Sequence, residues 1–231
     1  MIADGLRLAA AFARQVARPS GGSLCGACVD VLAVSGAGIT LLGGHEAGPL
    51  CVSNEQSSRL EDLQFLLGEG PCQDAFNSGA PVHAPALDAA SRNRWPVFTE
   101  EALAVGVGAM FAYPLAATLG STGVLTLYQD SPGDLTADQA TDALALAQVL
   151  ADTIVQLQSD ARGQVPAAFD DAVAHRAEVH QAAGMVAVQM HVRVGEALAV
   201  LRSYAFAHGL SISDVSRDVI ARRVRFTERN N

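Results

Sequence analysis

The sequence predicts an α+β protein: an antiparallel sheet flanked by helices, then a long helix and an all-α bundle of three helices. Up to residue 135, short apolar segments bounded by Gly and Pro alternate irregularly with helical segments. That order is typical of an antiparallel sheet and not of repeating βα units. Beyond Leu135, every segment has helical spacing and no strand pattern occurs.

The first 135 residues contain both kinds of signal. An amphipathic pattern that stops at Pro19-Ser20-Gly21-Gly22 predicts a helix at 1–18. Further helices are predicted at 23–34, 56–67, 72–77 and 95–105, and strands at 36–42, 50–53, 81–85, 110–115 and 124–128. Prolines bound the segment 81–85, which indicates an edge strand. Residues 118–123 are predicted to form the turn between the last two strands.

The long helix that starts at residue 136 has apolar residues on two faces. Thr136 and Gln139 predict a capping box at its start. Alternating spacings of four and three predict a heptad seam, and with it a parallel homodimer, through Ala143, Ala147, Leu150, Ile154, Leu157 and Ala161. The alternative is a helix that lies flat on its own sheet, a contact we assign to Leu144, Leu146 and Val149.

Gly163-Gln164-Val165-Pro166 interrupts the helical pattern and predicts a domain boundary. We expect a first domain at 1–162, which includes a coiled-coil helix at 136–162, a linker at 163–168, and a three-helix domain at 169–231. Gly209 is placed to end the middle helix in a left-handed conformation. Ser211 and Asp214 predict a capping box for the third helix.

The net charge of −9 is unevenly distributed along the chain. Residues 1–165 carry 7 Arg and 17 acidic residues, whereas residues 166–231 carry 8 Arg and 7 acidic residues. The acidic part would repel nucleic acid, so a nucleic-acid partner is expected at the C-terminal end. All basic residues are Arg, which makes forked phosphate contacts. No signal peptide and no membrane-spanning apolar run is visible, and we expect a cytoplasmic protein.

Four cysteines without secretory features predict free thiols in a reducing compartment. Cys25 and Cys28 form one Cys-x-x-Cys, and Cys51 and Cys72 could complete four thiolates. Buried inert thiols, a redox sensor and a metal site are therefore the alternatives, the last disfavoured because structural zinc sites usually pair two such motifs. The histidines accompany no nucleophile motif. We predict no metal, no cofactor and no enzyme activity.

The C-terminal segment, about 169–226, resembles the ANTAR domain. The resemblance rests on His180-Gln181-Ala182-Ala183-Gly184-Met185-Val186, Glu196-Ala197, Leu201-Arg202-x-x-Ala205 and Asp214-Val215. ANTAR modules are three-helix transcription antiterminators that bind paired hairpins in nascent RNA, so the resemblance implies that activity here. The pattern usually has Lys in its first helix where this chain has Ala183, which removes one basic residue.

Residues of about 1–160 resemble the GAF domain, a sensory domain that commonly precedes ANTAR. The motifs are Leu24-Cys25-Gly26-Ala27-Cys28-Val29-Asp30, Gly36-Ala37-Gly38-Ile39, Leu60-Glu61-x-Leu63-Gln64-Phe65, Leu67-Gly68-Glu69-Gly70-Pro71-Cys72, Arg94-Trp95-Pro96 and Gly123-Val124-Leu125-x-Leu127-Tyr128. The resemblance implies a pocket over one sheet face and an unknown small-molecule ligand. Candidate lining residues, which could instead simply fill the core, are Phe65, Cys72, Phe76, Trp95, Phe98, Phe111, Tyr113 and Tyr128.

RNA binding needs cations against phosphate and planar groups against unpaired bases. The candidates are Arg176, His180, Gln181, Arg202, Tyr204, His208, Arg222, Arg223 and Arg225, with Phe226 among the tail arginines. An ion pair for Arg176, a core position for Tyr204 and a solvated tail are the alternatives. For the function, the alternatives are a DNA-binding helix-turn-helix-like regulator and a protein-interaction or dimerisation module. Ile212-Ser213-Asp214 disfavours the first, since a recognition helix should begin with base-reading donors.

Overall fold

The computed structural model describes residues 24–42, 48–117, 120–159 and 170–227. The chain divides into two compact units, Met1–Asp170 and Asp171–Asn231. The first contains a sheet with helices and the second contains helices, which confirms the predicted α+β class. The predicted helix at 1–18 and the linker at 163–168 lie outside the described residues.

One antiparallel sheet forms the centre of the first unit. Its strands are β1 (Gly36–Leu41), β2 (Gly48–Val52), β3 (Val82–Ala84), β4 (Ala109–Ala117) and β5 (Gly120–Gln129). Their order across the sheet is β2-β1-β5-β4-β3. The strand between the two prolines, β3, therefore lies at an edge, as predicted from its missing backbone donors.

The predicted turn at 118–123 is too long, because residues 120–123 belong to β5. β4 and β5 stay paired out to Ala117 and Gly120, after a register shift between Leu115 and Ala116. Gly123 is a strand residue at which β1 and β5 approach closely, because a Cβ there would lie 2.4 Å from the Thr40 carbonyl oxygen. A glycine needed for close backbone approach thus resembled a turn signal in the sequence.

Helices cover both faces of the sheet. They are α1 (Leu24–Leu32), α2 (Glu55–Leu67), α3 (Pro71–Ser78), α4 (Ala89–Arg94), α5 (Pro96–Ala104) and α6 (Ala137–Ser159). α1 and α6 contribute to one apolar cluster, whereas α2, α3 and α5 contribute to a second one on the opposite face. The sequence analysis missed α4, which begins where Asp88 Oδ1 accepts hydrogen bonds from the N–H groups of Ala90 and Ser91.

The long helix α6 begins at the predicted capping box. The Thr136 N–H donates to Gln139 Oε1 at 2.9 Å, and the Gln139 N–H donates to Thr136 Oγ1 at 3.2 Å. These two bonds satisfy backbone groups that have no partner within the helix.

The predicted dimer seam on α6 is wrong in every member whose side chain is described. These residues are buried in the core of their own unit: Ala143, Ala147, Leu150 and Ile154. Leu144, which we assigned to the sheet contact, is instead 53% exposed. Spacings of four and three define one face of any amphipathic helix, whether it meets a sheet or a second chain. The Leu157 side chain and Ala161 lie outside the description.

The prediction of free thiols is wrong for two of the four cysteines. Cys25 on α1 and Cys51 on β2 form a disulfide with a Cα–Cα distance of 5.9 Å, whereas Cys28 and Cys72 are free and buried. The bond crosses between two elements that are distant in sequence, and it does not close the Cys-x-x-Cys. Spacing along the chain could not show that β2 runs past α1 at a distance suited to a disulfide.

The second unit is built from α7 (Asp170–Met190), α8 (Val194–His208) and α9 (Ile212–Ile220). All three helices contribute fully or nearly fully buried residues: Ala182, Ala183, Val186, Ala197, Leu201, Ala205, Ile212, Val215 and Val219. Gly209 ends α8 in the left-handed region, as predicted. The Asp214 N–H donates to Ser211 Oγ at 3.0 Å, and the Ser211 hydroxyl donates to the Asp214 carboxylate, so the predicted capping box is half formed.

Within the described ranges, no single helix is long and apolar enough to cross a membrane. The segments Glu178–Met190 and Val194–His208 pass the same test only as a pair, and they are bent by 103°.

Candidate nucleic-acid interface and sensory face

The residues predicted to bind RNA differ in their exposure. The exposed ones are Gln181, His208, Arg222, Arg223 and Arg225, and the partly buried ones are His180, Arg202 and Tyr204. The side chain of Arg176 lies outside the description. Burial lowers the pKa of the Arg202 guanidinium, so this group belongs more to the bundle than to its surface.

Three aromatic side chains of the second unit lie against each other. We call Tyr204, His208 and Phe226 the aromatic cluster. The rings of Tyr204 and His208 stack with centroids 3.9 Å apart, and Phe226 meets Tyr204 edge-on at 5.2 Å. The stacking follows from the helix, because residues four apart share one face of α8. The cluster brings the tail after α9 onto α8.

A hydrogen bond fixes the tail at the same place. The Phe226 N–H donates to Gln189 Oε1, on α7, at 2.9 Å. His208 Nδ1 lies 2.8 Å from the Tyr204 carbonyl oxygen. Because a carbonyl only accepts, Nδ1 carries the proton and Nε2 remains for another partner. The sequence analysis did not select Gln189, which no pattern distinguishes from other helix-surface glutamines.

Three arginines of the second unit, Arg193, Arg217 and Arg223, each contact a carboxylate. The pairs are Arg193–Glu196 at 2.6 Å, Arg217–Asp214 at 3.0 Å, Arg217–Glu178 at 3.6 Å and Arg223–Asp218 at 2.6 Å. Arg222 and Arg225 are exposed and make no ion pair within the described residues. Both lie within four residues of Phe226, so the two guanidinium groups are close in the chain to the aromatic cluster.

Arg222 adopts an uncommon backbone conformation. Its φ is 59°, in the left-handed region. The Arg222 N–H donates to the Val219 carbonyl at 2.9 Å and the Arg223 N–H to the Asp218 carbonyl at 2.8 Å. This is the Schellman arrangement that usually has Gly at its left-handed position. It turns the chain sharply after α9 and starts the tail that leads to Phe226.

Ala183 occupies the position where a Lys is usual in the resemblance, and it is fully buried. A basic residue is therefore missing from the interior-facing side of α7 and not from its exposed surface. Exposed basic groups of this unit are found at other positions, such as Arg222 and Arg225.

The predicted sensory pocket divides between the two sheet faces. Cys72, Trp95, Phe98 and Tyr128 are buried in one cluster, against which Phe76 is partly buried. Phe111 and Tyr113 belong to the cluster on the opposite face, so they cannot line the same cavity. The alternation of side chains along β4 explains the error, because residues 111 and 113 point away from residues 110 and 112. Phe65 is buried on α2 and belongs to neither cluster.

The same face as Cys72 holds a buried carboxylate that the sequence analysis missed. Glu61 accepts a hydrogen bond from the Thr40 hydroxyl, and Gln64 Nε2 donates to Glu61 Oε1 at 3.4 Å. Gly38 lies against Glu61, since a Cβ there would lie 2.6 Å from Glu61 Cγ. Burial raises the pKa of Glu61 to about 7, although the Thr40 and Thr126 hydroxyls oppose the shift.

Cys72 and Thr126 complete this polar group. Gln64 Oε1 accepts the Cys72 N–H at 2.7 Å. Burial, together with the negative charge of Glu61, raises the pKa of Cys72 well above its usual value. Thr126 Oγ1 is buried and forms no hydrogen bond of normal geometry. A polar position on the buried face of α2, four residues from Ser57 and three from Gln64, is the sequence signal that could have identified Glu61.

The described residues contain no group of three or more His, Cys, Asp or Glu side chains that could hold a metal ion.

Comparison with known proteins separates the two units. Residues 167–220 match the family model of the ANTAR domain. No curated protein matches the chain. The solved structures that share the fold of the first unit include the GAF domain of an Acinetobacter phosphoenolpyruvate-protein phosphotransferase and the GAF domain of a phosphoenolpyruvate-protein phosphotransferase (ptsP) from Coxiella burnetii.

The first has 13% identity and a TM-score of 0.51, and the alignment covers 71% of this chain and 98% of that one. The second has 16% identity and a TM-score of 0.50, with 67% and 95% covered. At these identities the likeness shows a common fold.

Proposed function

From a chain that joins a GAF fold to an ANTAR domain at residues 167–220, we propose a signal-responsive regulator whose C-terminal unit binds hairpin RNA and prevents transcription termination. The first unit senses the signal and the second contacts nascent transcripts. Because antiterminators of the ANTAR type act on nascent transcripts in bacteria, where transcription is cytoplasmic, we expect this protein to act in the cytoplasm.

The observation that carries this proposal is that Arg222 and Arg225 are exposed and lie within four residues of Phe226, a member of the aromatic cluster. Both guanidinium groups are exposed and form no ion pair among the described residues, so they meet phosphate without first losing a carboxylate. The cluster that the same tail joins through Phe226 offers aromatic groups for an unpaired base. Arg223, which is held by Asp218, contributes less than its neighbours. The interface therefore combines backbone charge with stacking.

The first turn of α9 favours RNA over duplex DNA as the partner. A helix that reads the major groove presents donors to base edges near its N-terminus. Here Ile212 is buried, and the Asp214 carboxylate, which is bound to Ser211 and Arg217, is the acidic group in that turn. An acidic group in the first turn would be repelled by the phosphates on either side of the major groove.

Paired hairpins need two binding units, and one chain has one three-helix unit. We therefore propose a homodimer that binds the two hairpins together. Its contact lies away from the Ala143–Ile154 side of α6, because that side is buried in the first unit. A small molecule that binds over the Glu61 and Cys72 face of the sheet is the proposed signal.

Fluorescence anisotropy with three labelled probes tests the RNA proposal: a two-hairpin RNA, a single hairpin, and duplex DNA of equal length. We expect the two-hairpin RNA to bind most tightly. The double variant Arg222→Ala/Arg225→Ala should weaken it by roughly 10- to 100-fold, since each phosphate contact carries about 1 kcal/mol or more. Arg223→Ala is the matched control. Because the Arg223 side chain is paired with Asp218, its removal should cause a smaller loss of affinity.

Preference for duplex DNA would favour the helix-turn-helix alternative. An intact, folded protein that binds none of the three probes at low salt would favour a protein-interaction module and would overturn the proposal.

A further inference from the structure

We propose that the Cys25–Cys51 disulfide is a reversible thiol–disulfide exchange site, and that its reduction by a dithiol loosens α1 from β2 and disturbs the start of α6. This inference concerns the first unit and does not depend on RNA binding.

The two sulfur positions are unequal. Cys25 is fully buried on α1, whereas Cys51 is half-buried on β2. β2 lies at one edge of the sheet and pairs only with β1 among the described strands. An incoming thiolate therefore reaches the bond from the side of Cys51, where the covering layer is thinnest.

The exchange proceeds in two steps. A thiolate of the external dithiol attacks Cys51 Sγ, the Cys25–Cys51 bond breaks, and Cys25 leaves as a thiolate that takes up a proton. The second thiol of the reductant then attacks the mixed disulfide and releases Cys51. The protein gains two electrons and two protons, and the dithiol becomes a disulfide.

Cys28 explains why the bond persists beside a third thiol. It lies three residues from Cys25 on the same face of α1, a position from which its thiolate could attack the Cys25–Cys51 bond. Its thiol is buried, and burial raises its pKa to about 12. Because the thiolate is the attacking species, internal exchange is slow and the redox state depends on the external reductant.

A continuous set of contacts joins the disulfide to α6. The bond ties α1 to β2, and the buried side of α1 shares its apolar cluster with Leu146 and Leu150 of α6. At the end of α1, the Leu32 carbonyl accepts a hydrogen bond from Gln139 Nε2 at 2.8 Å. Gln139 also forms the capping box of α6. A shift of α1 therefore removes a contact from the first turn of α6.

The test uses the full chain, titrated with dithiothreitol against its oxidised form. Alkylation under native conditions, read by intact mass, should label no cysteine in the oxidised protein and should label Cys51 first after reduction, because Cys51 is only half-buried. Peptide mapping should find Cys72, which is buried in the cluster on the opposite face of the sheet, protected. Hydrogen exchange should accelerate several-fold in α1, in β2 and in the first turns of α6.

Variants separate the exchange site from its neighbours. Cys51→Ser should show the hydrogen-exchange pattern of the reduced protein at every ratio of reduced to oxidised dithiothreitol. Cys28→Ser should respond to reduction as the wild type does. A bond that stays closed until the protein unfolds would overturn the proposal. Reduction that leaves hydrogen exchange in α6 unchanged would also overturn it. Both readouts use the wild-type chain, so they stand even if Cys51→Ser does not fold.

Discussion

The two units differ in where they keep their ionisable groups. The first unit buries a carboxylate, Glu61, next to a buried thiol and two threonine hydroxyls. The second unit has exposed ionic groups: Arg193, Arg217 and Arg223 contact carboxylates, whereas Arg222 and Arg225 form no ion pair among the described residues. Burying a charge lowers the stability of the folded state, so a buried ionisable group affects stability and its own protonation. An exposed charge has little effect on folding stability and is available for binding. The difference is what a sensory unit and a nucleic-acid-binding unit would require.

The largest expected effect concerns the interior of the first unit. Leu150→Ala should lower its free energy of unfolding by about 3 kcal/mol, because the side chain is fully buried and a cavity remains. Leu144→Ala, on the same helix but 53% exposed, should cost less than about 0.5 kcal/mol. The single tryptophan, Trp95, lies in the first unit, so its fluorescence in a urea titration follows that unit alone. Equal losses would contradict the orientation of α6.

The next effect concerns the pH dependence of the same unit. The folded pKa of Glu61 is raised from 4.5 to about 7, so the folded state holds a proton that the unfolded state releases. Its stabilising contribution is therefore complete below pH 4.5 and is lost as the pH rises to about 7, a change of about 3 kcal/mol. Glu61→Gln should flatten this slope in urea titrations from pH 4.5 to 8.

The matched control is Glu55→Gln, because Glu55 lies on the same helix with an 82% exposed side chain. It should keep the wild-type slope. An unchanged slope in Glu61→Gln would show that the buried carboxylate does not set the pH dependence.

A smaller effect is expected from the tail of the second unit. Phe226→Ala should remove the ring contact with Tyr204 and free the segment that carries Arg222 and Arg225. We expect a loss of about 1 kcal/mol in this unit, since the ring is only partly buried. Faster hydrogen exchange at residues 222–227, with no change in Trp95 fluorescence, would show that the effect is confined to the second unit. Unchanged exchange would show that the cluster does not hold the tail.

The smallest effect has the opposite sign. His191 follows α7 with a φ of 54°, and the Val192 N–H donates to the Ala187 carbonyl at 3.1 Å. Glycine adopts this conformation without the Cβ penalty, so His191→Gly should stabilise the second unit by roughly 0.5–1 kcal/mol. Gln181→Gly, in the exposed middle of α7, should destabilise it by about 1 kcal/mol. Calorimetry of both variants decides the sign.

The sequence predicted local structure well because its signals are local. Capping residues such as Thr136 and Gly209, and the prolines around β3, act within a few positions of the chain. The fold class followed from the order of the elements. The turn was predicted too long, at 118–123, because Gly123 serves the approach of β1, a strand some 80 residues away in sequence.

Parts of the site depended on contacts between residues that are far apart in the sequence. The face of α6 could not be assigned, since Leu150 and Leu144 both belong to apolar stripes and only packing distinguishes them. Cys25 could pair with any of three cysteines. Glu61 resembled a solvated helix residue, although its position between Ser57 and Gln64 on one helix face was a usable signal. The strand alternation that separates Phe111 from Tyr128 was also available and would have corrected the pocket.

The salt dependence of RNA binding tests the central claim most directly. For wild type and Arg222→Ala/Arg225→Ala, the affinity for the two-hairpin RNA is measured between 50 and 300 mM salt, and log K is plotted against log [salt]. If the two exposed guanidinium groups neutralise phosphates, the double variant should have a slope shallower by roughly 1.5, at about 0.7–0.9 per lost contact. Identical slopes for the two proteins would contradict the account.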